Sequence, residues 1–305
     1  MTIYQIQNQK ISSLKEKEFP KEKEMHDLIE ANLDELFGLQ LIDGEFQIEG
    51  YFLDSLAYDP ETNSFVILEY KKSSNFSVVD QGLHYLSLML NNKANFVLAY
   101  ITKTGKKATV TDFDWSQVRV IFVAKSFTQY QHGATNFKDF PIELWEFNRY
   151  ENGLLDVKQI QSSKKAESIT KVIKNNSASE IISQVKTYTV QDHLLKSSEK
   201  IQDLFMTLQR EIFEIDDRVQ EKPVGGYVGY KIRYKNFCSI HFFKDKLRIY
   251  VRVNKIDDPK KVFKQIPIKY KWGKIPLWFW EINDEKDIDY AMTVIRQGYE
   301  IAPDK

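Results

Sequence analysis

The stretch VILEYKKSSNFSVVDQGLHYL, residues 66–86, constrains the fold most, because it combines the pattern of a buried strand with that of an amphipathic helix. Its first three residues form an apolar run, which is typical of a strand with both faces covered. Residues 77–90 carry apolar side chains at helical spacing. The strand nevertheless ends in EYKK, residues 69–72. A charged end on a core strand requires a reason in packing or in function.

The segments around this stretch predict an α/β domain with a mixed sheet. Residues 21–37 are predicted to form a helix that ends at Gly38. EFQIEGYFLDSLAYD and SFVILEYK are predicted strands joined by the turn DPETNS. NFVLAYIT, VRVIFVAKS and PIELWEFNRY are three further predicted strands, with a helix in SFTQYQHGATNF before the last. The alternation of helices and strands favours a sheet flanked by helices.

The length of 305 residues, with 42% hydrophobic and 28% charged residues, is enough for two globular domains. The first domain is predicted over residues 1–155. Residues 156–190 are polar and rich in Lys and Ser, which predicts a linker. Residues 191–305 are predicted to form a smaller α+β domain, with a helix at each end and strands between.

Several classes of protein are excluded by composition. No apolar run approaches the roughly 20 residues that a membrane helix needs, and the first ten residues are too polar for a secretory signal, so we expect a cytoplasmic protein outside the membrane. A lone Cys238 rules out an intramolecular disulfide or a cysteine-based zinc site. The five histidines show no metal-ligand spacing.

Charged residues converge at the end of the predicted hairpin. If Asp59 faces Ser64 across the turn, the same register places Asp54 opposite Glu69, with Cβ atoms roughly 4.5–5.5 Å apart. Lys71 shares the face of Glu69, because side chains two apart on a strand point the same way. Two carboxylates with room for water suit Mg²⁺ or Mn²⁺. The alternative is a salt-bridge network at the strand end with no catalytic role.

Gln81 and Tyr85 are four residues apart and so share one face of the following helix. The sequence holds, in order, Asp54, then Glu69-Tyr70-Lys71, then Gln81-x-x-x-Tyr85. This pattern resembles the PD-(D/E)xK nuclease superfamily, including its RecB-like branch, and is similar to NucS-type mismatch-cleaving endonucleases. Leu53 stands where the superfamily name has Pro. The resemblance covers about residues 18–150 and implies a restriction-endonuclease-like core.

The resemblance also implies roles for these residues. Asp54 and Glu69, with the backbone carbonyl of Tyr70, would hold Mg²⁺ or Mn²⁺, and Lys71 would position or activate water. Gln81 and Tyr85 would orient the active site or the DNA backbone.

Such nucleases carry a further glutamate on the first helix, where this chain offers Glu24 and Glu30. Glu24 is favoured because family members place this residue early in the helix.

The expected function is therefore a divalent-metal-dependent endonuclease that hydrolyses DNA. The alternative is a degenerate member of the fold that binds DNA or recruits a protein without cutting. The strand state of the DNA, and the choice between DNA and RNA, stay open because the chemistry acts on the phosphate. A homodimer is one arrangement that the resemblance implies, since relatives often pair to present two active sites.

The second domain is basic. Residues 222–274 hold 15 Lys and Arg against 3 Asp and Glu, although the net charge of the chain is zero. In KLRIYVRVN, residues Lys246, Arg248, Tyr250 and Arg252 alternate with apolar residues, and KIRYK is predicted to repeat the pattern with Lys231, Arg233 and Lys235. These side chains are predicted to bind nucleic acid, against the alternative of an ordinary solvated sheet face. Residues 196–302 resemble an uncharacterised domain found behind nuclease-like modules.

Overall fold

The computed structural model describes residues 3–72, 77–137, 139–163, 166–169, 177–232, 235–267 and 275–302. The chain separates into two compact units. The first comprises Met1–Asp59 and Asn63–Lys186, and the second comprises Pro60–Thr62 and Thr187–Lys305. Among the described residues, no helix combines the length and the apolar character that a membrane crossing requires.

The first unit is built on a six-stranded mixed sheet, in the order β3-β4-β5-β6-β7-β8. Strands β5, β6 and β7 run parallel, and the remaining neighbours are antiparallel. A separate two-stranded hairpin precedes this sheet. The strands are β1 (Tyr4–Gln7), β2 (Lys10–Ser13), β3 (Gln40–Ile48), β4 (Tyr51–Asp59), β5 (Ser64–Lys71), β6 (Arg119–Ala124), β7 (Ile142–Arg149) and β8 (Leu155–Ile160).

Helices cover both faces of this sheet. The helices are α1 (Glu22–Glu30), α2 (Leu33–Phe37), α3 (Val78–Asn91), α4 (Lys93–Thr104), α5 (Gln129–Ala134) and α6 (Ser177–Gln184). Met25 and Ile29 of α1 share one buried cluster with Val66 of β5. Leu86 of α3 lies in the other cluster with Ile67 of β5. Because Val66 and Ile67 are successive strand residues, the two clusters lie on opposite faces of the sheet.

The predicted hairpin register is confirmed. Asp59 faces Ser64 and Ser55 faces Leu68 in the antiparallel β4–β5 pair. The buried run of β5 also behaves as expected, with all residues from Ser64 to Tyr70 buried. The reason is that β5 has neighbours on both edges and helices on both faces.

Two segments differ from the strands that the sequence predicts. NFVLAYIT lies in helix α4, where Phe96, Val97 and Tyr100 form one buried face. Its aromatic and β-branched residues favour a strand locally, and packing on the sheet overrides that preference. The segment EFQIEGYFLDSLAYD forms parts of two strands, because Glu49 and Gly50 both adopt positive φ, at 47° and 82°, and reverse the chain.

The predicted linker over residues 156–190 is wrong for much of its length. Residues 155–160 form β8, the sixth strand of the sheet. Ile169 and Ile182, the latter on α6, are 3% and 2% exposed and belong to the core beside α3. Isolated apolar residues in a Lys- and Ser-rich segment are enough to fix it to a core, although they give no periodic signal.

The second unit is an antiparallel six-stranded sheet in the order β13-β14-β12-β11-β10-β9, with helices on one face. The strands are β9 (Gln220–Pro223), β10 (Val228–Ile232), β11 (Lys235–Phe242), β12 (Leu247–Arg252), β13 (Lys264–Gln265) and β14 (Leu277–Ile282). The helices are α7 (Val190–Leu194), α8 (Glu199–Phe213) and α9 (Ile288–Glu300).

Helix α9 packs closely on this sheet at Gly298. A Cβ added there would lie 2.8 Å from the carbonyl oxygen of Phe237 and from Cγ1 of Val251, so only glycine allows this approach. The predicted fold class is confirmed by the two units together: a mixed α/β sheet flanked by helices and a separate α+β region.

Candidate active site

Glu69 is the centre of a buried polar cluster at the carboxyl end of β5. Its side chain belongs to the α3 face of the sheet and the residue is only 4% exposed. Lys71, two residues further along the strand, places its Nζ 2.5 Å from Oε1 of Glu69. The period of two along a strand therefore brings these two charges together, as the sequence predicts.

Helix α3 supplies two further donors to the same carboxylate. The Nε2 amide of Gln81 donates to Oε1 of Glu69 at 2.8 Å, and the hydroxyl of Tyr85 donates to Oε2 at 2.9 Å. The Gln81 amide also contacts the Tyr85 hydroxyl oxygen at 2.7 Å. Burial, with the charge of Glu69, raises the pKa of Tyr85 above its ordinary value, so its hydroxyl stays protonated as a donor.

Gly82 explains how α3 comes close enough for these contacts. A Cβ at this position would lie 2.3 Å from Cδ1 of Ile142 on β7, which is closer than packed carbon atoms allow. The absence of a side chain therefore lets the helix approach the sheet directly next to Gln81.

Asp54 lies at the point where the β4–β5 ladder stops. The last paired residues on this side are Ser55 and Leu68, and the Asp54 carboxylate accepts the backbone N–H of Tyr70 at 2.8 Å. Burial and the negative charge of Glu69 raise the pKa of Asp54 to about 6, against the lowering effects of the Tyr70 N–H and Lys71. The site therefore holds more negative charge than Lys71 and the backbone donor offset.

The glutamates of α1 occupy different environments from Glu69. Glu24 is exposed in the first turn of the helix. Glu30 accepts a hydrogen bond from Ser55 at 2.6 Å and lies 2.9 Å from Nε2 of His26. Ser55 follows Asp54 on β4, so Glu30 contacts the opposite face of the sheet from Glu69. The preference for Glu24 therefore still rests on its position in the resembled family, since no hydrogen bond or ion pair among the described residues joins its side chain to Asp54, Glu69 or Lys71.

The sequence reasoning missed a second polar network, which lies on this opposite face. The hydroxyl groups of Ser55 and Tyr70 are 2.9 Å apart, and the rings of His26 and Tyr70 stack with centroids 4.5 Å apart. A signal was available, because His26 and Glu30 are four residues apart on one helix.

A small cavity of about 60 Å³ adjoins Lys71 at the carboxyl edge of the parallel strands. Lys72, Lys125 and Arg149 line it from the ends of β5, β6 and β7. Nζ of Lys125 lies 3.2 Å from carboxylate oxygens of both Glu16 and Glu18. Glu22 joins these two glutamates in the lining, where the five cations are Lys17, Lys71, Lys72, Lys125 and Arg149. The edge therefore combines both signs of charge with an excess of cations.

The basic residues predicted in the second unit are divided by the structure. Lys246 and Arg248 both pair with Glu281 of β14, a partner that the sequence reasoning missed. Arg252 and Tyr250 lie on the same face of β12 as Arg248.

The prediction that KIRYK lies on one strand is wrong. Strand β10 ends at Ile232 and β11 begins with Lys235, which faces Ile232. Lys231 therefore lies on β10 and Lys235 on β11. Arg233 lies outside the described residues.

The fold and the site define a protein with a carboxylate–lysine cluster at the end of a central parallel strand, joined in sequence to an antiparallel α+β unit. An uncharacterised protein of Haemophilus influenzae is 37% identical over 304 residues, which cover 98% of this chain and 99% of that protein. The chain belongs to the family of that protein. Residues 190–302 match a domain of unknown function, DUF5655, in agreement with the predicted uncharacterised domain.

Two solved structures show partial similarity. A repair endonuclease from Pyrococcus abyssi is 24% identical over 43% of this chain and 49% of its own, with a TM-score of 0.25. A chain of an EndoMS–dsDNA2 complex is 20% identical over 45% of this chain and 51% of its own, with a TM-score of 0.25. The match therefore spans about half of each of these chains, and TM-scores of this size carry no argument about function.

Proposed function

We propose that this chain is a divalent-metal-dependent endonuclease that hydrolyses phosphodiester bonds of DNA at the cluster of Asp54, Glu69 and Lys71. The observation that carries the proposal is the meeting of two carboxylates and an ammonium at the end of a central parallel strand, in contact with Gln81 and Tyr85. A buried carboxyl whose pKa is raised to about 6 beside a second carboxylate is typical of functional sites and supports the proposal.

The oxygen donors fit Mg²⁺ or Mn²⁺. Asp54, Glu69 and the backbone carbonyl of Tyr70 would hold the ion, which when bound lowers the pKa of a coordinated water and neutralises charge on a phosphate. The described residues include no group of three His, Cys, Asp or Glu side chains that could hold a metal, so a carbonyl and water must complete this donor set. The excess negative charge at Asp54 and Glu69 favours a divalent cation there.

The chain's own residues position the reactants. The Lys71 ammonium, held by Glu69, orients the attacking water or offsets charge on the scissile phosphate. Gln81 and Tyr85 fix the orientation of the Glu69 carboxylate through both of its oxygens. They act through Glu69 and are therefore positioning residues.

The DNA backbone approaches along the carboxyl edge of β5, β6 and β7. Lys72, Lys125 and Arg149 line the cavity at this edge beside Lys71. The lining as a whole has five cations against three glutamates, two of which pair with Lys125. This excess of positive charge supports binding of phosphates without regard to base sequence and leaves the sequence and strand state of the nucleic acid undetermined.

One observation favours a second candidate, a member of the fold that binds DNA without cutting. Both oxygens of Glu69 already accept hydrogen bonds from protein side chains, and Lys71 occupies Oε1. If these bonds persist in the presence of metal, three of the roughly four lone-pair sites of the carboxylate stay occupied, which weakens it as a metal ligand. This candidate predicts DNA binding that does not depend on metal.

Cleavage of labelled single-stranded, duplex and mismatch-containing DNA in Mg²⁺, Mn²⁺ or EDTA tests the proposal. Glu69→Gln preserves the size of the side chain and removes its charge. Glu143→Gln is the matched control, because Glu143 is a half-buried carboxylate that pairs with Arg119 near the opposite ends of the parallel strands. Product that requires metal and Glu69 but not Glu143 supports the nuclease. Binding without product under all conditions establishes the second candidate instead.

A further inference from the structure

A row of side chains crosses the second sheet on the face away from its helices. The row follows the paired positions of four strands: Ser239 on β11 faces Tyr250 on β12, Tyr250 faces Phe279 on β14, and Phe279 faces Lys264 on β13. Neighbouring strands are about 4.8 Å apart, so the row is continuous. It places two aromatic rings beside one another with a lysine on the edge strand.

The face that bears this row is the one opposite the hydrophobic core. Leu247, Ile249 and Val251 of β12 are buried in the cluster that contains α8 and α9. Arg248, Tyr250 and Arg252 alternate with them, and all three are partly exposed. Strand alternation therefore turns the aromatic and cationic residues away from the two long helices.

Aromatic rings are grouped on this face. The Tyr250 ring has its centroid 5.8 Å from that of Phe279 and 4.5 Å from that of His241. Phe279 and Phe243 are also partly exposed. The guanidinium of Arg248 lies 5.2 Å from the Phe279 ring centroid and 4.9 Å from that of Phe243. Exposed rings combined with cations form a surface for planar, negatively charged ligands.

The charge of this group is positive. Lys264, Arg248, Arg252 and Lys246 are the cations that the described residues place there, and Glu281 pairs with Lys246 and Arg248. The pKa of His241 is lowered to about 4 by burial and by the charge of Arg248, so this ring is neutral at pH 7 and adds no charge beneath Tyr250.

We propose that this aromatic-cationic face, defined by Phe243, Arg248, Tyr250, Arg252, Lys264 and Phe279, binds single-stranded nucleic acid. Unpaired bases stack on Tyr250 and Phe279, and the phosphates contact Lys264 and the arginines. A duplex hides the faces of its bases, so it gains only the phosphate contacts. The proposal deepens the proposed function, on which it rests for the choice of a nucleic acid, and assigns strand preference to the second unit.

The test is a fluorescence-anisotropy titration of the full chain in EDTA with a labelled oligo(dT) of about 16 nucleotides and with the corresponding duplex. Phe279→Leu removes a stacking ring and keeps an apolar strand residue. We expect it to weaken single-strand binding by about fivefold or more and to leave duplex binding unchanged.

Lys264→Gln removes one phosphate contact. We expect weaker binding of the single strand and a salt slope smaller by about 0.7. Lys286→Gln is the matched control, because Lys286 is a 75% exposed cation paired with Asp284 in the turn before α9, and it should change neither quantity. Circular dichroism of each variant verifies the fold.

Wild-type affinity in correctly folded Phe279→Leu, or the same loss for duplex as for single strand, would overturn the proposal. So would a wild-type chain that binds no nucleic acid, which leaves a protein as the partner of this face. Because EDTA removes the metal, the result is independent of cleavage. If single-strand binding depends on Phe279 but the wild type cuts no DNA, the aromatic-cationic face is supported and the proposed nuclease is wrong. If the wild type cuts DNA but Phe279→Leu binds single strands normally, the nuclease is supported and the role of this face is wrong.

Discussion

The hydroxyl of Tyr85 donates a hydrogen bond of 2.9 Å to Oε2 of Glu69 and so ties helix α3 to the charged end of strand β5. Glu69 is 4% exposed, so its orientation depends on donors from the protein. The proposed chemistry requires a fixed carboxylate, and this bond together with Gln81 supplies it.

Tyr85→Phe is predicted to lower the cleavage rate without abolishing it, because Glu69 keeps its charge and loses one donor. The free energy of unfolding should fall by about 1.5–3 kcal/mol, the usual value of a hydrogen bond to a charged group. Single-turnover cleavage and urea unfolding measure the two effects. Tyr58→Phe is the control, because it also removes one bond, to Asn63 at 2.8 Å, in the same unit. Equal cleavage by the two variants contradicts a positioning role for Tyr85.

Lys71→Met is predicted to reduce cleavage by about 100-fold or more, because it removes the ammonium from the scissile phosphate and from Glu69. Lys103→Met, at the exposed end of α4, should cut at the wild-type rate. The comparison requires saturating metal and matched protein concentrations. A folded Lys71→Met variant with wild-type activity shows that the assigned mechanism is wrong.

Glu281→Gln is predicted to strengthen single-strand binding. The variant removes negative charge from the aromatic-cationic face and releases Lys246 and Arg248 to contact phosphates. The steepness of the salt dependence should increase, because more counterions are displaced on binding. Anisotropy titrations at several salt concentrations measure both effects. Unchanged affinity and slope indicate that the phosphates do not reach this part of the face.

The contribution of His241 is predicted to make stability decrease as the pH falls from 6.5 to about 4. Asp54, whose pKa is raised to about 6, contributes in the opposite direction as the pH falls below 6, so the prediction concerns the difference between wild type and a His241 variant. The His241 ring lies near Arg248 of β12 and near His193 and Lys196, so the folded protein resists its protonation. The unfolded chain takes up this proton at the ordinary pKa, and unfolding is favoured as pH falls through that range. Urea unfolding across the range should show a smaller loss of stability on acidification in His241→Asn than in the wild type. Identical curves for wild type and His241→Asn refute the assignment.

Ile182→Ala is predicted to lower the free energy of unfolding by about 2–5 kcal/mol, the usual cost of a cavity at a buried isoleucine. Ile182 lies on α6 and is 2% exposed, in a segment whose composition indicates a linker. Ile181→Ala, at a partly buried position on the same helix, should cost less. Urea unfolding of the two variants compares the costs, and equal small losses mean that α6 does not contribute to the core.

The charged cluster was predictable because it depends on local rules. A tight hairpin fixes the register that places Asp54 beside the end of β5, and strand alternation fixes Lys71 on the face of Glu69. Helical spacing places Gln81 and Tyr85 together. None of these steps needs knowledge of distant contacts.

The errors concern features that depend on tertiary packing. NFVLAYIT has strand-like composition, and only burial of Phe96 and Tyr100 against the sheet selects the helix. β8 and α6 have few apolar residues, and their contacts with the sheet and α3 are long-range. The partners of Lys246 and Arg248 were missed because Glu281 is 33 residues from Arg248 in sequence.

The most direct test of the central claim is the single-turnover rate of DNA cleavage by wild type and Glu69→Gln in Mg²⁺, with EDTA as the blank. We predict product from the wild type in Mg²⁺, none in EDTA, and a rate at least about 100-fold lower in Glu69→Gln with DNA binding preserved. Equal cleavage by Glu69→Gln, or no cleavage by a wild type that binds DNA, would contradict the claim.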